Sequence, residues 1–508
     1  RDEFVSAKLS SKLGQQLKDV LAICGGGMPA WCNSLVGPCR FLFPFEIRKR
    51  YFYCTAFGLG RALQHMQQLH TAEAGGALAA AADRDGRELR VGRLQRQKVR
   101  VSRKRILESA AKVMELYARS RAVLELEYFN EVGTGLGPTL EFYTLLSHEL
   151  QRKDLGMWRH EEQDDTQKQK QDKQRAGSGA YVNAPWGLFP RPLPPASVSG
   201  SGGAGAAAAK VVEHFRLLGR TLAKALQDNR LLDLPLSHVF FAAALGSPLD
   251  MWDIARFDPG LGATLARLHA ALVAHRAAGG AVSGPLLVDG VPLEDLCITF
   301  VLPGQPDYPL RPGGGDMVVS TAEQLAEYMA AVTDATLGSG VAAQMGAFRE
   351  GFNEVFSLST LSIFNEDEIE VLLCGSGERW TLQALSEAIK FDHGYTANSQ
   401  PVKYLLEIMS ELDAADQRAF LRFVTGCPRL PPGGLTALQP RLTVVRKHPR
   451  WVAAGLGGAG TMCAADADLP SVMTCANYIK LPPYSSKAVM AARLMYAIRE
   501  GQGSFDLS

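Results

Sequence analysis

Four stretches of this chain, 71–86, 161–179, 194–210 and 451–469, hold too few large apolar side chains to help build a core. The first, third and fourth are rich in Ala, Gly and Ser, while the second is a Gln/Lys/Asp run. Neither composition buries enough surface to offset the entropy of ordering, so all four are expected to be flexible loops. The fold must therefore be assembled from the segments between them. With 46% hydrophobic residues in 508, those segments have material for several cores, and the length suggests roughly two to four domains.

Between the loops the apolar residues recur mainly at helical spacing. Ile106, Ala110, Val113, Met114 and Tyr117 fit a 3.6-residue period behind Ser102, a candidate N-cap. Helices are also expected over 139–150, 214–228, 381–390, 399–411 and 415–423, and over 261–274, where Leu261, Leu265, Leu268 and Leu272 share one face. Ser485 or Ser486 caps a last helix that carries Met490, Leu494, Ala497 and Ile498 and stops near Gly501. Strands are few. Residues 124–128 alternate as a half-buried strand does, and 298–301 and 442–445 read as short apolar strands. The basic run 93–105 reads as a solvated helix entry or linker. The class is α+β: a helix-rich body, then a smaller mixed domain. Between them, Gly375, Ser376, Gly377 and Glu378 suit either a swinging hinge or an ordinary helix C-cap turn, since the glycines tolerate both.

A net charge of +2 provides no dominant basic field, so a nucleic-acid partner is not expected. No apolar run is long enough to span a bilayer and no signal peptide is recognisable, so no membrane partner is expected either. The nine cysteines include no CxxC pair and no Cys/His cluster of zinc-site spacing, which points away from a metal. Their odd number fits reduced thiols in the cytoplasm or nucleus better than a disulfide framework. The chain begins at Arg1 without an initiator Met and is expected to be a fragment of something longer. Glycines 133, 135 and 137 evoke a dinucleotide loop, but Pro138 follows where GxGxxG needs two further residues and a glycine, and no GK[ST] follows. They serve backbone turns, and no cofactor is expected.

One residue stands out chemically. Cys475 lies in a short Thr-Cys loop, LPSVMTCANY over 469–478, just ahead of the final helix and a free tail ending in Phe505, Asp506, Leu507 and Ser508. That loop resembles the LPxxxTC loop of the HECT ubiquitin ligases, whose fourth-last residue is often Phe. Three further blocks agree with the family, in family order. Residues 128–143, YFNEVGTGLGPTLEFY, resemble a long signature of its N-lobe. Residues 351–375 resemble the stretch leading into the inter-lobe hinge, and 423–435, FVTGCPRLPPGGL, a C-lobe segment. Together they cover about 103–508. Upstream, 4–9 and 41–63 resemble the segment preceding the catalytic domain in the plant KAKTUS-type group, within the ubiquitin-fusion-degradation branch. Many HECT enzymes have His two places before the cysteine; here Met473 stands there, as in that branch, and no His follows His448.

The resemblance implies a bilobal HECT domain: a helical N-terminal extension over 1–102, an N-lobe over 103–374, a flexible hinge over 375–378 and a C-lobe over 379–508. It implies ubiquitin passing from a charged E2 to Cys475 as a thioester, then to a lysine of a protein substrate. The first step is thiol-for-thiol exchange and needs proximity and some thiolate more than a strong base. The second needs the lysine to lose a proton, with Asp506 as a candidate base. Thr474 and Asn477 flank the nucleophile and either bond the thioester carbonyl or merely shape the turn. Phe505 is expected to orient the C-lobe during ligation. E2 recognition falls on a subdomain near 250–335, with Tyr308 and Leu310 as anchors and Leu265 and Leu268 across from them or, alternatively, in the core.

Two other readings compete. A cysteine hydrolase would need His393 or His448 brought to Cys475. A non-catalytic interaction module would carry Cys475 as an ordinary loop thiol.

Overall fold

The computed structural model describes residues 2–73, 94–131, 133, 135–160, 181–195, 203–278, 284–375, 377–447 and 464–500. The chain forms two compact units. One gathers Arg1–Glu149, Lys224–Asp233 and Glu368–Ser508; the other comprises Leu150–Ala223 and Leu234–Asp367. These units cut the chain differently from the lobe boundaries expected from the sequence.

The first unit opens with helices Ala7–Gln16, Val20–Cys24, Ala30–Val36, Phe45–Thr55 and Leu59–Glu73. Ser6 and Asp19 cap the first two by accepting the Leu9 and Ala22 N–H groups. Leu13, Leu17, Val36, Phe52 and Ala62 bury their side chains completely or nearly so. The basic run that reads as linker instead forms a strand, β1 (Arg96–Val101), parallel to β2 (Val123–Tyr128). Its alternation explains this: Arg96, Lys98 and Arg100 face outward over Glu125 and Glu127, while Val101 turns inward. Ser102 does not cap with its side chain; a single turn over Arg103–Arg105 precedes the Ile106–Tyr117 helix. The next helix, Leu136–Glu149, begins three residues earlier than the periodicity suggests. Thr139 holds it to β2 by accepting the Leu126 N–H at 2.9 Å.

In the second unit, the Gly203–Gln227 helix, of which residues through Ala223 belong here, corrects the reading of 194–210 as a loop. An Ala-rich run lacks core-forming bulk, yet Ala is the best helix former, and tertiary packing extends the helix backward through it. This helix crosses Ala342–Asn353 at van der Waals distance. A Cβ on Gly219 would strike the Phe348 carbonyl oxygen, and one on Gly351 the Arg216 carbonyl oxygen. Arg216–Glu350 and Arg220–Glu354 pairs, 2.8 and 2.7 Å, flank the crossing. Helices His238–Leu245, Pro259–Ala277 and Ala322–Leu337 and two short hairpins complete the unit: β3 (Leu287–Val288) with β4 (Val291–Pro292), and β5 (Val301–Leu302) with β6 (Gln305–Pro309). The strand expected over 298–301 is thus shifted, with Thr299 bridging to Val318.

The C-terminal part of the first unit is a sheet of order β7-β8-β10-β9 under helices Gln400–Glu411, Ala414–Thr425 and Lys487–Glu500. β7 (Lys390–Asp392), β8 (Thr443–Arg446) and β10 (Tyr478–Leu481) run parallel, and β9 (Ser471–Met473) is an antiparallel edge strand. Leu405, Met409, Phe420, Val444, Ile479, Leu481, Met490, Leu494 and Ile498 share one core. Of Ser485 and Ser486, it is Ser486 that caps the last helix, accepting the Val489 N–H at 3.3 Å. The expected loop 451–469 is helical over Ala464–Ala467 and 71–86 over its first three residues; 161–179 lies outside the described residues. Among the described residues no helix is long and apolar enough to cross a membrane.

Candidate active site

β9 and β10 form a hairpin whose tip is a single tight turn, Thr474–Ala476, closed by Asn477. Asn477 takes the left-handed conformation, φ 49°, which Asn tolerates better than most residues. Its side chain points inward. Nδ2 donates to the Pro440 carbonyl at 2.7 Å, and its carbonyl receives the Thr443 N–H at 2.9 Å, so the turn is tied to the start of β8. Only 4% of Asn477 is exposed, and these bonds are spent within the turn and its neighbour strand. Thr474 is half-buried, its carbonyl accepting the Asn477 N–H. Cys475 itself faces solvent.

Exposure sets some of the described thiols apart, with Cys39 intermediate. Burial pushes Cys427 and Cys54 up to about 11, so both stay protonated and inert at neutral pH. Cys24, Cys297 and Cys475 are exposed, and Cys475 alone of these sits at the tip of a sheet hairpin. The Thr474–Ala476 turn lies within 8 Å, Cα to Cα, of both the Leu136–Glu149 and Ala414–Thr425 helices. The first carries the end of the long glycine-rich signature read from the sequence.

The sheet also separates Cys475 from the histidine a hydrolase would need. His393 follows β7, at the opposite edge of a four-stranded sheet from β9. Strands β7 and β9 are three strand spacings apart, roughly 14 Å. Because β7, β8 and β10 are parallel and start in register, His393 lies at their C-terminal end and Cys475 at their N-terminal end. His448, Phe505, Asp506 and Ser376 lie outside the described residues.

Gly375 ends the Glu366–Cys374 helix at φ 74°, donating to the Val371 carbonyl at 3.0 Å, as a C-cap glycine does. A Cβ there would strike the Leu430 carbonyl oxygen. Three residues on, the Glu378 carboxylate accepts the Leu435 N–H at 2.8 Å. In this arrangement both ends of the expected hinge, with Gly377 between them, are held to the 423–435 segment. Arg429 adds a 2.6 Å pair to Asp233.

The expected E2 anchors are mostly interior. Tyr308, Leu265 and Leu268 are no more than 3% exposed and Leu310 is half-buried, so the first three fill the subdomain rather than face a partner. Tyr308 packs against Gly340, its hydroxyl near the end of the Ala322–Leu337 helix. The apolar side chains that do face solvent there are Trp252, Val273, Leu287, Val291, Met317 and Val318. Apart from Val273, on the Pro259–Ala277 helix, sequence periodicity hides them, because in short hairpins and single turns inward and outward residues alternate over too few positions. Among the described residues no group of His, Cys, Asp or Glu is placed to hold a metal ion.

A solvent-facing thiol on a hairpin tip, at the opposite end of the sheet from His393, is suited to carrying an acyl group. Comparison with known proteins agrees on the class. Residues 144–508 match the HECT-domain (ubiquitin-transferase) family, and the chain belongs to that family. It is 54% identical over 520 residues to the E3 ubiquitin-protein ligase UPL3 of Arabidopsis thaliana, the match covering all of this chain and 27% of that protein. It is 46% identical to UPL4 of the same plant and 37% to ubiquitin fusion degradation protein 4 of Saccharomyces cerevisiae; each match covers all of this chain and 32% of the relative. The chain thus spans about a quarter to a third of the length of these curated relatives.

Proposed function

We propose that the chain is the catalytic region of an E3 ubiquitin ligase that takes ubiquitin from an E2 as a thioester on Cys475 and passes it to a substrate lysine. The observation that carries this is the exposed Cys475 on an anchored turn within the HECT family match. In the first step the Cys475 thiolate attacks the carbonyl of the E2–ubiquitin thioester; the new C–S bond forms as the E2 sulfur leaves as a thiolate. In the second, a lysine amine attacks, the amide forms, the lysine proton passes to a base and Cys475 leaves as a thiolate. Both steps rest on proximity of bound partners. Asp506 as that base, and Phe505 as an orienting contact, are the parts of this reading that the tail would supply.

In this proposal the lobes are 103–374 and 379–508, with 375–378 as the connection between them. Opening it would require release of the Glu378–Leu435 bond and the Leu430–Gly375 contact. E2 docks on the subdomain near 250–335 through its solvent-facing apolar residues, with Trp252, Leu287 and Val291 as anchors, replacing the buried Tyr308, Leu265 and Leu268. The described free cysteines suit a reducing compartment, cytoplasm or nucleus. The test is a single-turnover reaction with ubiquitin-activating enzyme, a panel of E2s and labelled ubiquitin, resolved without reductant. An adduct on this chain that disappears with thiol and in Cys475→Ala is expected. Absence of any adduct across the panel, from folded protein, would favour the interaction-module reading.

A further inference from the structure

β9 is a weak support for a nucleophile. It is three residues long, it is an edge strand, and it pairs with β10 alone. The chain reaches it through Ala464–Ala467 and a short lead, 468–470. Left to its pairing with β10, so short a strand would fray readily. The lead is instead held at two points.

At the first, the Asp466 carboxylate accepts two bonds from one residue, the Ser485 N–H at 2.8 Å and its hydroxyl at 2.6 Å. Arg493, in the last helix, donates from Nε to the Asp466 carbonyl at 2.9 Å. At the second, Lys447 at the end of β8 donates to the Asp468 carboxylate at 2.9 Å and to the Leu469 carbonyl at 2.8 Å. The Tyr484 hydroxyl donates to the Asp468 carbonyl at 2.8 Å. Asp466 is buried, and its bonds from Ser485 hold its carboxyl below the usual carboxylate range, so it stays ionised at neutral pH. Of the partners, Ser485, Arg493 and Tyr484 follow β10, while Lys447 follows β8. They join the incoming lead to the chain beyond β8 and β10, so that β9 is held at its incoming end.

We propose that Asp466, with Lys447 as its second point, is a positioning residue for Cys475: it clamps the lead into β9 so that the turn 474–477 presents the thiol in one geometry to the incoming thioester. The inference rests on the thioester reading above. Acyl exchange between bound partners depends steeply on placement, and a displacement of about 1 Å can cost up to a hundredfold in rate. A frayed β9 keeps the thiol but spreads its position.

The geometry makes the side-chain requirement specific. Asn at 466 keeps an acceptor for the Ser485 N–H and can donate to the Ser485 hydroxyl oxygen, which rotates to accept. Ala keeps neither. Asp466→Ala is therefore expected to lower the single-turnover rate of Cys475 thioester formation about tenfold at saturating charged E2, with the half-saturating E2 concentration unchanged. Asp466→Asn stays within about twofold of wild type. Lys447→Met acts in the same direction as Asp466→Ala. The pH midpoint of Cys475 alkylation should not move in any of them, because the clamp does not touch the thiol. Hydrogen exchange of the amides over 469–479 should quicken in Asp466→Ala and not in Asp466→Asn, whether or not ubiquitin is present.

The outcomes separate the two claims. If wild type acquires no ubiquitin on Cys475, the ligase reading falls, and the exchange measurement still decides whether the clamp holds β9. If wild type is active and Asp466→Ala forms thioester at the wild-type rate, the positioning role is wrong. It is equally wrong if Asp466→Asn is as impaired as Asp466→Ala, or if exchange over 469–479 is unchanged.

Discussion

Arg61 offers a demanding test of how the N-terminal helices belong to this fold, since it lies well ahead of the family match at 144–508. Its guanidinium reaches Asp228 at 2.7 Å, the Arg121 carbonyl at 3.0 Å and the Gln227 carbonyl. The Asp228 side chain is 1% exposed. Replacing Arg61 by Met keeps most of the packing volume and removes the cation from a buried carboxylate. Breaking a buried pair from one side typically costs about 3–5 kcal/mol, because a buried charge is left without its partner. Asp228 would keep the Leu124 N–H at 3.1 Å and Lys224 at 3.7 Å, which places the expected cost near the low end, about 3 kcal/mol. Native-state hydrogen exchange reads this locally: amides in the 224–233 segment should exchange about a hundredfold faster. Adding Asp228→Asn to Arg61→Met should recover part of the loss, since the orphaned charge is then gone. Exchange within threefold of wild type in Arg61→Met would refute the claim that this ion pair anchors the N-terminal helices.

Other expectations are simpler. His65 stacks on Tyr53 and its imidazole is held down to about 4, first by burial and then by Lys49 and Arg50. Below the ordinary value of 6.5 the unfolded chain takes up a proton that the folded chain refuses, so stability should fall as pH drops from 6.5 toward 4. His65→Gln should flatten that part of a pH–stability profile, and an unchanged slope would contradict the assignment. Gly219→Ala should destabilise the second unit by about 3 kcal/mol, measured by urea unfolding, because its methyl would meet the Phe348 carbonyl; a neutral result would mean the helices separate freely. Leu287→Asp with Val291→Asp should raise the half-saturating concentration of charged E2 about tenfold without lowering the melting temperature, and no change would move the docking site elsewhere.

Much of the fold was legible where helices are long enough for several apolar turns. The Gln400–Glu411 and Ala414–Thr425 helices lie within a residue or two of expectation, and the Ile106–Tyr117 helix starts three residues later than a Ser102 cap implies. Misreadings cluster where one local signal competes with another. The 96–101 strand was hidden because its outward positions are all Arg or Lys, which read as a charged linker until Glu125 and Glu127 lie beneath them. Residues 203–210 were hidden by composition, since alanine serves both helices and filler. The Cys475 loop was visible as a motif, but its supports were not: Asp466 and Ser485 are 19 positions apart, and Glu378 and Leu435 57. Such pairs exist only once the sheet has closed. For Leu265 and Leu268 the sequence left two readings open, partner anchor or core, and the structure buries both side chains.

The central claim is a covalent one, and the serine variant tests it most directly. Charged E2 is mixed with wild type, Cys475→Ser and Cys475→Ala, and intact masses are recorded before and after thiol and after mild alkali. The account predicts one added ubiquitin on wild type that thiol removes. It predicts a slower adduct on Cys475→Ser that resists thiol and yields to alkali, as an ester does, and none on Cys475→Ala. A thiol-sensitive ubiquitin adduct persisting in Cys475→Ala would place the acyl group on another residue and contradict the account.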